Sequence, residues 1–533
     1  MKHKKSFKHF SGWNPLKAVT FILLLTFLSS CASPTQTPPQ FSTFMLVTQD
    51  PNASPTPTPF QPASQVDTPI PSFTPVPIAS STLEPTQTFT ALPPTSIPLP
   101  VNTLSPQPTN SSHTNYILYA TLDFNARTLT VDETIRYYNN TGTALSDIVL
   151  SVQPNRYGGA FVLNSISLDN AALTTYTLND QRLTLSLPQS LQPNSAVTLS
   201  LNFKINIPAK RSDGLFGYDF NQINLTDWYP FVVPNINGWV LHDPSSLGEY
   251  LVYDSSDIEL NLKTDSNIII AASAPAEQNG EWTRYRLYGA RMFTLSASDE
   301  FLVAESAVGA VVIRSYYFAG YQTAAEAILA TAADAVSTFE SNYAPYPYQT
   351  LSIVQADIND GQESDALIFL ATDFYAQYSG GARNNLTTIG VHEIAHQWWF
   401  GLVGSDQALN PWLDEALALY SERIFYENNY PANISWWWQY RVDYFKPSGF
   451  VDMPVYSAGS HREYVNAVYL NGAHFMDDVR ERMGYGNFAK FLKTYAERYS
   501  RGHATPADFF AVLRETINID ISDLVSKYFS QSY

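Results

Sequence analysis

The sequence predicts a multidomain α+β protein in which an N-terminal β-sandwich or saddle is followed by a mostly helical domain. At 533 residues the chain is longer than one hydrophobic core usually supports. Between about residues 115 and 312, short runs of branched and aromatic residues alternate with turn residues, which is typical of β-strands. After about residue 315 the apolar spacing changes to that of amphipathic helices. We therefore predict four segments, with boundaries after residues 30, 114 and 314.

Residues 1–30 have the three parts of a secretory signal peptide. Five lysines precede an apolar run over residues 18–28, and small residues follow before Cys31. The segment Leu28-Ser29-Ser30-Cys31 resembles a bacterial lipobox, which implies cleavage before Cys31 and lipidation of that residue. We therefore expect an extracytoplasmic protein that is held at the bacterial cell membrane by its lipid alone. The alternative is an ordinary signal peptide followed by an incidental cysteine.

Residues 31–114 predict a disordered tether. They contain 19 of the 35 prolines of the chain, many Thr, Ser and Gln residues, and three Asp or Glu residues. A segment of this composition cannot bury enough apolar surface to fold alone. Proline repeats such as that in residues 55–59 favour an extended polyproline-like conformation, which would place the folded part away from the membrane.

The cysteine count and the net charge exclude several classes of site and partner. Cys31 is the single cysteine, so the chain has no intramolecular disulfide, no cysteine-ligated metal site and no cysteine nucleophile in its folded part. A formal net charge of −18 makes nucleic acid and anionic lipid poor partners. The simplest interpretation of this acidity is solubility outside the cell.

Residues 115–314 form the predicted N-terminal β domain. Turn residues at 139–142 and at Asp213-Gly214 separate its strand signals. The strand signals lie at residues 118–138, 183–187, 196–205, 258–262 and 268–272.

Residues 315–533 form the predicted helical domain. An Ala-rich amphipathic helix is predicted over residues 321–343, and a short strand over residues 351–355. Two later helices have start signals in which a capping side chain precedes a proline, at Asn410-Pro411 and Thr505-Pro506.

The segment His392-Glu393-Ile394-Ala395-His396 predicts a zinc site. On a helix, residues i and i+4 share one face, so the two imidazoles can bind one ion while Glu393 stands beside the open position as general base. Zinc needs a third protein ligand, and Glu415 is the candidate because 18 residues separate it from His396. The helix that starts at Asn410-Pro411 would bring its carboxylate to the metal.

Residues 392–403 and the segment Trp412-Leu413-Asp414-Glu415 resemble the zinc signature of the aminopeptidase N family, which includes leukotriene hydrolase. That signature is an HExxH motif followed after eighteen residues by a glutamate in a WLNEG-like segment, and Asp414 and Ala416 stand here in place of Asn and Gly. Residues 228–230, 238–239 and 346–348 also look like family landmarks. The resemblance covers roughly residue 115 to the end, and it implies a thermolysin-like zinc peptidase domain with one Zn²⁺ ion over residues 315–533.

Two further roles are implied by the resemblance. Tyr469, in Tyr469-Leu470-Asn471-Gly472, matches the tyrosine of a YxKG-like segment, whose hydroxyl stabilises the oxyanion of the reaction. Glu363 matches the glutamate of a GxMEN-like strand, which binds the free α-amino group of the substrate. Asp360, Gln362 and Ser364 depart from that strand, so the choice between exopeptidase and endopeptidase stays open at this point.

The function implied by the resemblance is zinc-dependent hydrolysis of peptides, with removal of N-terminal residues from extracellular peptides as the leading expectation. One alternative is an endopeptidase or a specialised hydrolase that uses the same site. Another is a surface binding module that does not catalyse a reaction. Peptide substrates are the expected partners, and the sequence predicts no oligomeric state.

Four other polar residues have less specific patterns. Glu422 lies seven residues after Glu415 on the same helix face, so it is either a partner that orients a ligand histidine or an exposed carboxylate. His242, His461 and His474 lack the spacing of metal ligands, and we interpret them as packing or surface residues.

Overall fold

The computed structural model describes residues 112–212 and 214–533. In these residues a β-rich N-terminal part precedes a C-terminal part that consists mostly of helices, which confirms the predicted fold class. The predicted signal peptide, Cys31 and nearly all of the predicted tether lie outside the described residues. Within them, no helix has both the length and the apolar character needed to cross a bilayer.

The N-terminal part consists of three sheets built from short strands. These strands are β1 (Asn115–Asp123), β2 (Thr128–Tyr138), β3 (Leu145–Ser151), β4 (Phe161–Leu168), β5 (Ala171–Ala172), β6 (Tyr176–Asn179), β7 (Arg182–Leu191), β8 (Ala196–Asn206), β9 (Gly217–Asp219), β10 (Gln222–Leu225), β11 (Phe231–Val232), β12 (Ser256–Lys263), β13 (Ile269–Ala272), β14 (Ala276–Asn279), β15 (Trp282–Ala290) and β16 (Leu295–Ser298). The largest sheet has the order β14-β15-β12-β1-β2-β8-β4-β5, and the two smaller ones have the orders β13-β16-β10-β9 and β11-β3-β7-β6.

Alternation of apolar and polar residues explains why one face of the large sheet is buried. In β2, every second residue from Leu129 to Tyr137 is buried, and the residues between them are exposed or half-buried. The inward row contains one carboxyl group, that of Glu133. Strand β1 pairs with β2 in antiparallel fashion and with β12 in parallel fashion, so it lies inside the sheet.

A fourth sheet belongs to the C-terminal part. It contains β17 (Leu302–Val308), β18 (Val311–Tyr317), β19 (Thr350–Ala356), β20 (Gly361–Gln362) and β21 (Leu367–Ala371), in the order β17-β18-β19-β21-β20. Strands β18, β19 and β21 are parallel, and every residue of β19 and β21 is buried because both faces of these strands are covered. The boundary that we predicted after residue 314 falls inside β18, since the hairpin from Leu302 to Tyr317 pairs with β19.

Ten α-helical segments lie in the described part of the chain. They are α1 (Gln322–Asn342), α2 (Thr372–Gln377), α3 (Asn385–Ala395), α4 (Trp412–Asn429), α5 (Ile434–Trp436), α6 (His461–Tyr464), α7 (Asn471–Met483), α8 (Tyr485–Arg498), α9 (Pro506–Thr516) and α10 (Ser522–Tyr528). The predicted start at Thr505-Pro506 is correct, because Thr505 and Asp508 form a capping box. The predicted side-chain cap at Asn410 is wrong: α4 begins at Trp412, and Asn410 contributes its backbone carbonyl, which accepts from Leu413 N (3.1 Å).

Two of the helical segments are joined by a π-helical stretch. Residues Val465–Leu470 form this stretch between α6 and α7, so the chain stays helical from His461 to Met483. A π-helical turn widens the helix locally and rotates the side chains that follow it, and such turns are frequent at functional sites. Tyr469 lies in this stretch.

Arg291 connects the N-terminal part to the C-terminal part. Its guanidinium donates to the backbone carbonyls of Phe400, Tyr253 (2.8 Å) and Gly502 (2.7 Å). Asp365 completes the connection, because one of its oxygens accepts from the backbone N–H groups of Arg291 (2.7 Å) and Met292 (2.8 Å). These buried bonds fix the β-rich part against the loop that carries Glu363.

Candidate metal centre and active site

The three predicted metal ligands lie together. Asn384 caps α3 by accepting from Thr387 N, and this helix presents His392 in its last turn and His396 directly after its end. Glu415 lies in the first turn of α4. One donor atom from each of the three residues lies within 4.8 Å of the other two, and all three side chains are buried. Glu415 Oε2 is 3.2 Å from His392 Nε2 and 3.5 Å from His396 Nε2.

The other ring nitrogen of each histidine is held by a carboxylate. Glu422 Oε1 is 3.0 Å from His392 Nδ1, and Asp414 Oδ1 is 2.6 Å from His396 Nδ1. Carboxylates accept hydrogen bonds, so both rings are protonated at Nδ1 and turn an unprotonated Nε2 toward Glu415 when they bind a metal. This arrangement of two Nε2 atoms and one carboxylate oxygen matches the donor set of a catalytic zinc site, which has three protein ligands.

Glu422 is a buried carboxylate in an ion pair, which decides between its two interpretations. Its two oxygens accept from His392, from Trp437 Nε1 (2.9 Å) and from Arg441 Nε (3.0 Å) and Nη2 (2.7 Å). Burial opposes its ionisation, but Arg441 and His392 outweigh that effect and hold the pKa of Glu422 below its ordinary value. The carboxylate therefore stays charged and orients the His392 ring.

Asp414 is a functional residue that our sequence analysis treated only as a departure from the family signature. Besides His396, it accepts from Gln407 Nε2 at 2.7 Å, and its side chain is buried. The signal was present in the sequence, because a carboxylate directly before a metal-binding glutamate is well placed to support a ligand histidine.

Glu393 lies beside the cluster and faces Gly361 of the edge strand β20. A Cβ atom on Gly361 would lie 2.2 Å from Glu393 Oε1, so only glycine leaves room for the carboxyl group there. Among the described residues Glu393 Oε2 has no hydrogen-bond partner. Burial raises the pKa of Glu393 to about 8, with His392 and His396 acting in the opposite direction.

Glu363 lies close to Glu393, in the loop after β20. Oxygen atoms of the two carboxyl groups and a ring nitrogen of His396 lie within 4.8 Å of one another. The loop is fastened to the metal-binding segment by Gln397, whose side chain accepts from Ala366 N (2.8 Å) and donates to Ser364 O (2.9 Å). Burial raises the pKa of Glu363 to about 7.

Gln362 and Glu249 extend the acidic surface around Glu363. The Gln362 side-chain amide donates to Glu363 Oε2 (2.9 Å) and to Glu249 Oε1 (3.3 Å), so it lies between two carboxyl groups. Burial and then the neighbouring Glu363 raise the pKa of Glu249 well above its ordinary value. Glu249 was not predicted as a site residue, because it comes from the β-rich part, far from the metal motif in sequence.

Tyr469 stacks on the ring of His392, with centroids 6.0 Å apart and planes inclined by 14°. It also packs edge-on against Tyr464. Burial and then Glu415 raise the pKa of the Tyr469 hydroxyl well above its ordinary value, so the hydroxyl stays protonated and is a hydrogen-bond donor.

The metal ligands and the side chains that would act on a substrate border one cavity of about 420 Å³. His392, His396, Glu415, Glu393, Glu363 and Tyr469 line it. His461 also borders the cavity, although we interpreted it as a packing or surface residue. His242 and His474 form hydrogen bonds with Asp406 and Asp443, both at 2.9 Å, and belong to no metal cluster among the described residues.

Comparison with known proteins finds a matching domain and relatives that are similar to part of the chain. Residues 328–528 match the Peptidase family M1 domain. The chain is 26% identical over 163 residues to aminopeptidase M1-C of Oryza sativa subsp. japonica, a match that covers 29% of this chain and 18% of the relative. It is 24% identical over 169 residues to aminopeptidase N of Lactococcus lactis subsp. lactis, covering 29% and 19% of the two chains. These matches span less than a quarter of either relative.

Solved structures share the fold over a much larger fraction of the chain. An M1 zinc metallopeptidase from Deinococcus radiodurans, crystallised as a mutant bound to a Tyr-Ser-Ala substrate, has a TM-score of 0.58 at 15% identity, covering 79% of this chain and 94% of that one. The same mutant without that substrate has a TM-score of 0.56. Residues 328–528 therefore resemble the M1 peptidase domain in sequence, as parts of the chain resemble aminopeptidases, and the chain shares the fold of solved M1 zinc metallopeptidases.

Proposed function

We propose that this protein is a zinc-dependent aminopeptidase that removes N-terminal residues from extracellular peptides. One observation supports this function above the others. The buried cluster of His392, His396 and Glu415 borders the same cavity as Glu393 and Glu363, so a metal, a base and an amine-binding carboxylate face one substrate space. The zinc ion of the family fits the donor set, because both ring Nδ1 atoms are already held by carboxylates.

Glu393 supplies the general base. When bound, zinc supplies a Lewis acid that acidifies a water molecule and polarises a carbonyl group. Glu393 Oε2, which has no hydrogen-bond partner among the described residues, takes the proton of the attacking water and later passes it to the leaving amine. Gly361, which has no Cβ, leaves the space that the carboxyl group occupies.

Tyr469 and Glu363 act at the two ends of the substrate's N-terminal residue, at its carbonyl oxygen and at its α-amino group. The Tyr469 hydroxyl, held against His392, donates a hydrogen bond to the oxygen on which negative charge develops. The Glu363 carboxylate binds the α-ammonium of the substrate, which places the first peptide bond beside Glu393. An ammonium ion next to Glu363 favours its ionised form, which compensates for the cost of burying that carboxylate.

A panel of aminoacyl reporter amides tests the proposal. We expect the purified protein to cleave some of them, to lose activity with a chelator, and to regain it with zinc. Glu393→Gln should reduce kcat/KM by about 10²-fold or more, because it removes the proton acceptor and preserves the shape of the side chain. No hydrolysis by a wild-type protein that holds one zinc ion would contradict the proposal and favour a surface binding module.

Matched peptides with free and acetylated N-termini separate an aminopeptidase from an endopeptidase. The amine-binding role of Glu363 predicts that acetylation reduces kcat/KM by about 10²-fold, and that Glu363→Gln removes most of this difference. Equal rates on the two peptides would reassign the protein as an endopeptidase that uses the same metal centre.

We also propose that Cys31 carries a lipid that anchors the chain outside the cell membrane. The support is the sequence Leu28-Ser29-Ser30-Cys31 and the proline-rich segment after it. Expression in a bacterial host with a labelled fatty acid tests this: Cys31 should be labelled in wild-type protein and unlabelled in Cys31→Ser. Wild-type protein that carries no label would overturn the anchor and leave the peptidase proposal unaffected.

A further inference from the structure

The cavity at the metal centre has a second, basic end. One end contains the metal ligands with Glu363 and Glu249, while Arg156 and Arg211 line the other. The loop over residues 245–251 forms the wall between them: Glu249 accepts from Gln362 at the acidic end, and the adjacent Tyr250 contacts Arg156 at the basic end. The two ends therefore belong to one substrate space.

Arg156 is held in place by neutral groups. Its Nη1 donates to the hydroxyl of Tyr250 and to Gln153 Oε1 (3.3 Å), and the Tyr250 hydroxyl donates to the same Gln153 oxygen (2.9 Å). Gln153 is buried and donates in turn to Ser151 Oγ (2.8 Å) and Gln181 Oε1 (2.5 Å). These bonds fix the guanidinium without neutralising its charge, which is the state of a group prepared for an anion.

Arg211 is held beside it. Its Nη2 donates to the backbone carbonyl of Arg156 (3.2 Å), and its guanidinium carbon lies 4.2 Å from the ring centre of Tyr157. Stacking on an aromatic ring orients the plane of a guanidinium and leaves its edge available for a second partner. Two guanidinium groups thus border the same part of the cavity.

Neither arginine is compensated by a carboxylate in the described part of the chain. No Asp or Glu oxygen there lies within ion-pair distance of Arg156 or Arg211. Asp227 also lines this end, but its Oδ1 accepts from the hydroxyl of Tyr253 (2.7 Å). In a chain with a net charge of −18, a cavity that is lined by several carboxyl groups and also keeps two arginines without a carboxylate partner among the described residues has a strong charge asymmetry.

We propose that Arg156 and Arg211 form a carboxylate-binding subsite, so that the enzyme prefers peptides with an ammonium at one end and a carboxylate a short distance away. The carboxylate is either the C-terminus of a short peptide or the side chain of an N-terminal Asp or Glu. Guanidinium groups bind carboxylates in both cases through the same charged hydrogen bonds. This inference rests on the proposed aminopeptidase function and specifies its substrate class.

Binding to the full-length, zinc-loaded Glu393→Gln protein tests the subsite without requiring turnover. Two matched pairs of peptides distinguish the two sources of the carboxylate: Ala-Ala-Ala against its C-terminal amide, and Glu-Ala-Ala-amide against Gln-Ala-Ala-amide. Calorimetry should show one pair in which the carboxylate form binds at least about tenfold more tightly, the size expected for a charged hydrogen bond. That ratio should fall toward one after Arg156→Gln or Arg211→Gln and remain substantial after Arg156→Lys.

Lys204→Gln serves as the matched control, since it removes one positive charge from the same β-rich part, on a strand that does not line the cavity. Its ratio should equal that of the unmodified background, and zinc content and melting temperature show whether each variant is folded. Equal binding within both pairs, or a preference that survives the double arginine substitution, would overturn the subsite. A wild-type protein that shows the binding preference and hydrolyses no peptide would support the subsite and contradict the proposed function.

Discussion

Two buried glutamates, one in each part of the molecule, have opposite surroundings. Glu422 of the metal centre is fully buried and accepts hydrogen bonds from His392, Trp437 and Arg441, which hold its pKa below the ordinary value. Glu133 of the large β-sheet is equally buried, and neither of its oxygens has a hydrogen-bond partner among the described residues. Burial alone raises the pKa of Glu133 well above its ordinary value.

Burial by itself therefore does not identify a functional carboxylate. A buried charge is retained where donors and a cation compensate the loss of water, and a buried carboxyl without them is kept neutral. Glu393 is an intermediate case, because one of its oxygens has no partner within the described residues but the residue borders the cavity. Substitutions at these positions should therefore have effects of different sign and size.

The largest effect is expected for Glu422→Leu. It leaves the buried Arg441 guanidinium without its carboxylate, which should lower the free energy of unfolding by about 3–5 kcal/mol. It also releases His392 Nδ1, so zinc affinity should fall about 10–100-fold. Urea denaturation and competition with a zinc chelator measure the two losses.

The double variant with Glu422→Leu and Arg441→Leu separates stability from metal binding. Removing both charges should restore much of the stability while zinc affinity stays low, since His392 still lacks its acceptor. A double variant that regains normal zinc affinity would show that Glu422 does not orient His392.

Gly361→Ala should reduce activity strongly with little change in metal binding. The added Cβ would lie 2.2 Å from Glu393 Oε1, so the carboxyl group must move. A displacement of about 1 Å in a catalytic group costs about 10²-fold in rate, which kcat/KM on a reporter amide would show. Gly486→Ala is the control, because a Cβ there meets nothing within 4 Å and its activity should be unchanged. Full activity in Gly361→Ala would argue against Glu393 as the base.

Asp414→Ala and Asp414→Asn should differ in their effect on zinc affinity. Alanine removes the carboxylate that accepts from His396 Nδ1 and leaves only the backbone carbonyl of Trp399 (2.9 Å) beside that nitrogen, and we expect a loss of about 10–100-fold. Asparagine still offers an oxygen to His396, so the loss should be smaller than about tenfold. Chelator competition measures both variants, and equal losses would mean that the charge of Asp414, not its hydrogen bond, supports the metal site.

The metal ligands could be predicted because a short motif and one fixed spacing specify them. His392, Glu393 and His396 follow from helix periodicity, and the distance to Glu415 follows from the family resemblance. The order of the β-rich and helical parts could also be predicted, because the spacing of apolar residues changes after about residue 315.

The supporting groups could not be predicted in the same way. Asp414 is adjacent to a ligand in sequence and was within reach of prediction, but Arg441 and Glu249 meet the site only through tertiary packing. The single inward carboxyl of β2 was visible in the alternation of Leu129, Val131, Glu133, Ile135 and Tyr137, although a pattern of burial does not reveal hydrogen-bond partners. Sequence periodicity thus indicates which side chains are buried, and the surroundings decide what they do.

The smallest effect, and the one of opposite sign, is expected for Glu133→Met. Replacing a buried carboxyl without hydrogen-bond partners by an apolar side chain of similar size should stabilise the fold by about 1–3 kcal/mol at neutral pH.

The pH dependence gives this prediction a sharper test. Because the pKa of Glu133 is higher in the folded state than its ordinary value of 4.5, the folded state keeps a proton that the unfolded state releases above that pH. The contribution of Glu133 to stability should therefore fall as pH rises above 4.5, and the advantage of Glu133→Met over wild type should grow in the same direction. Urea denaturation of both proteins between about pH 4 and pH 8 measures this, with the exposed Glu305→Gln as control. An advantage that does not change with pH would mean that Glu133 ionises in the folded protein as readily as in the unfolded chain. Glu133 and Glu422 would then both be charged in the folded protein, and they would differ only in their hydrogen-bond partners.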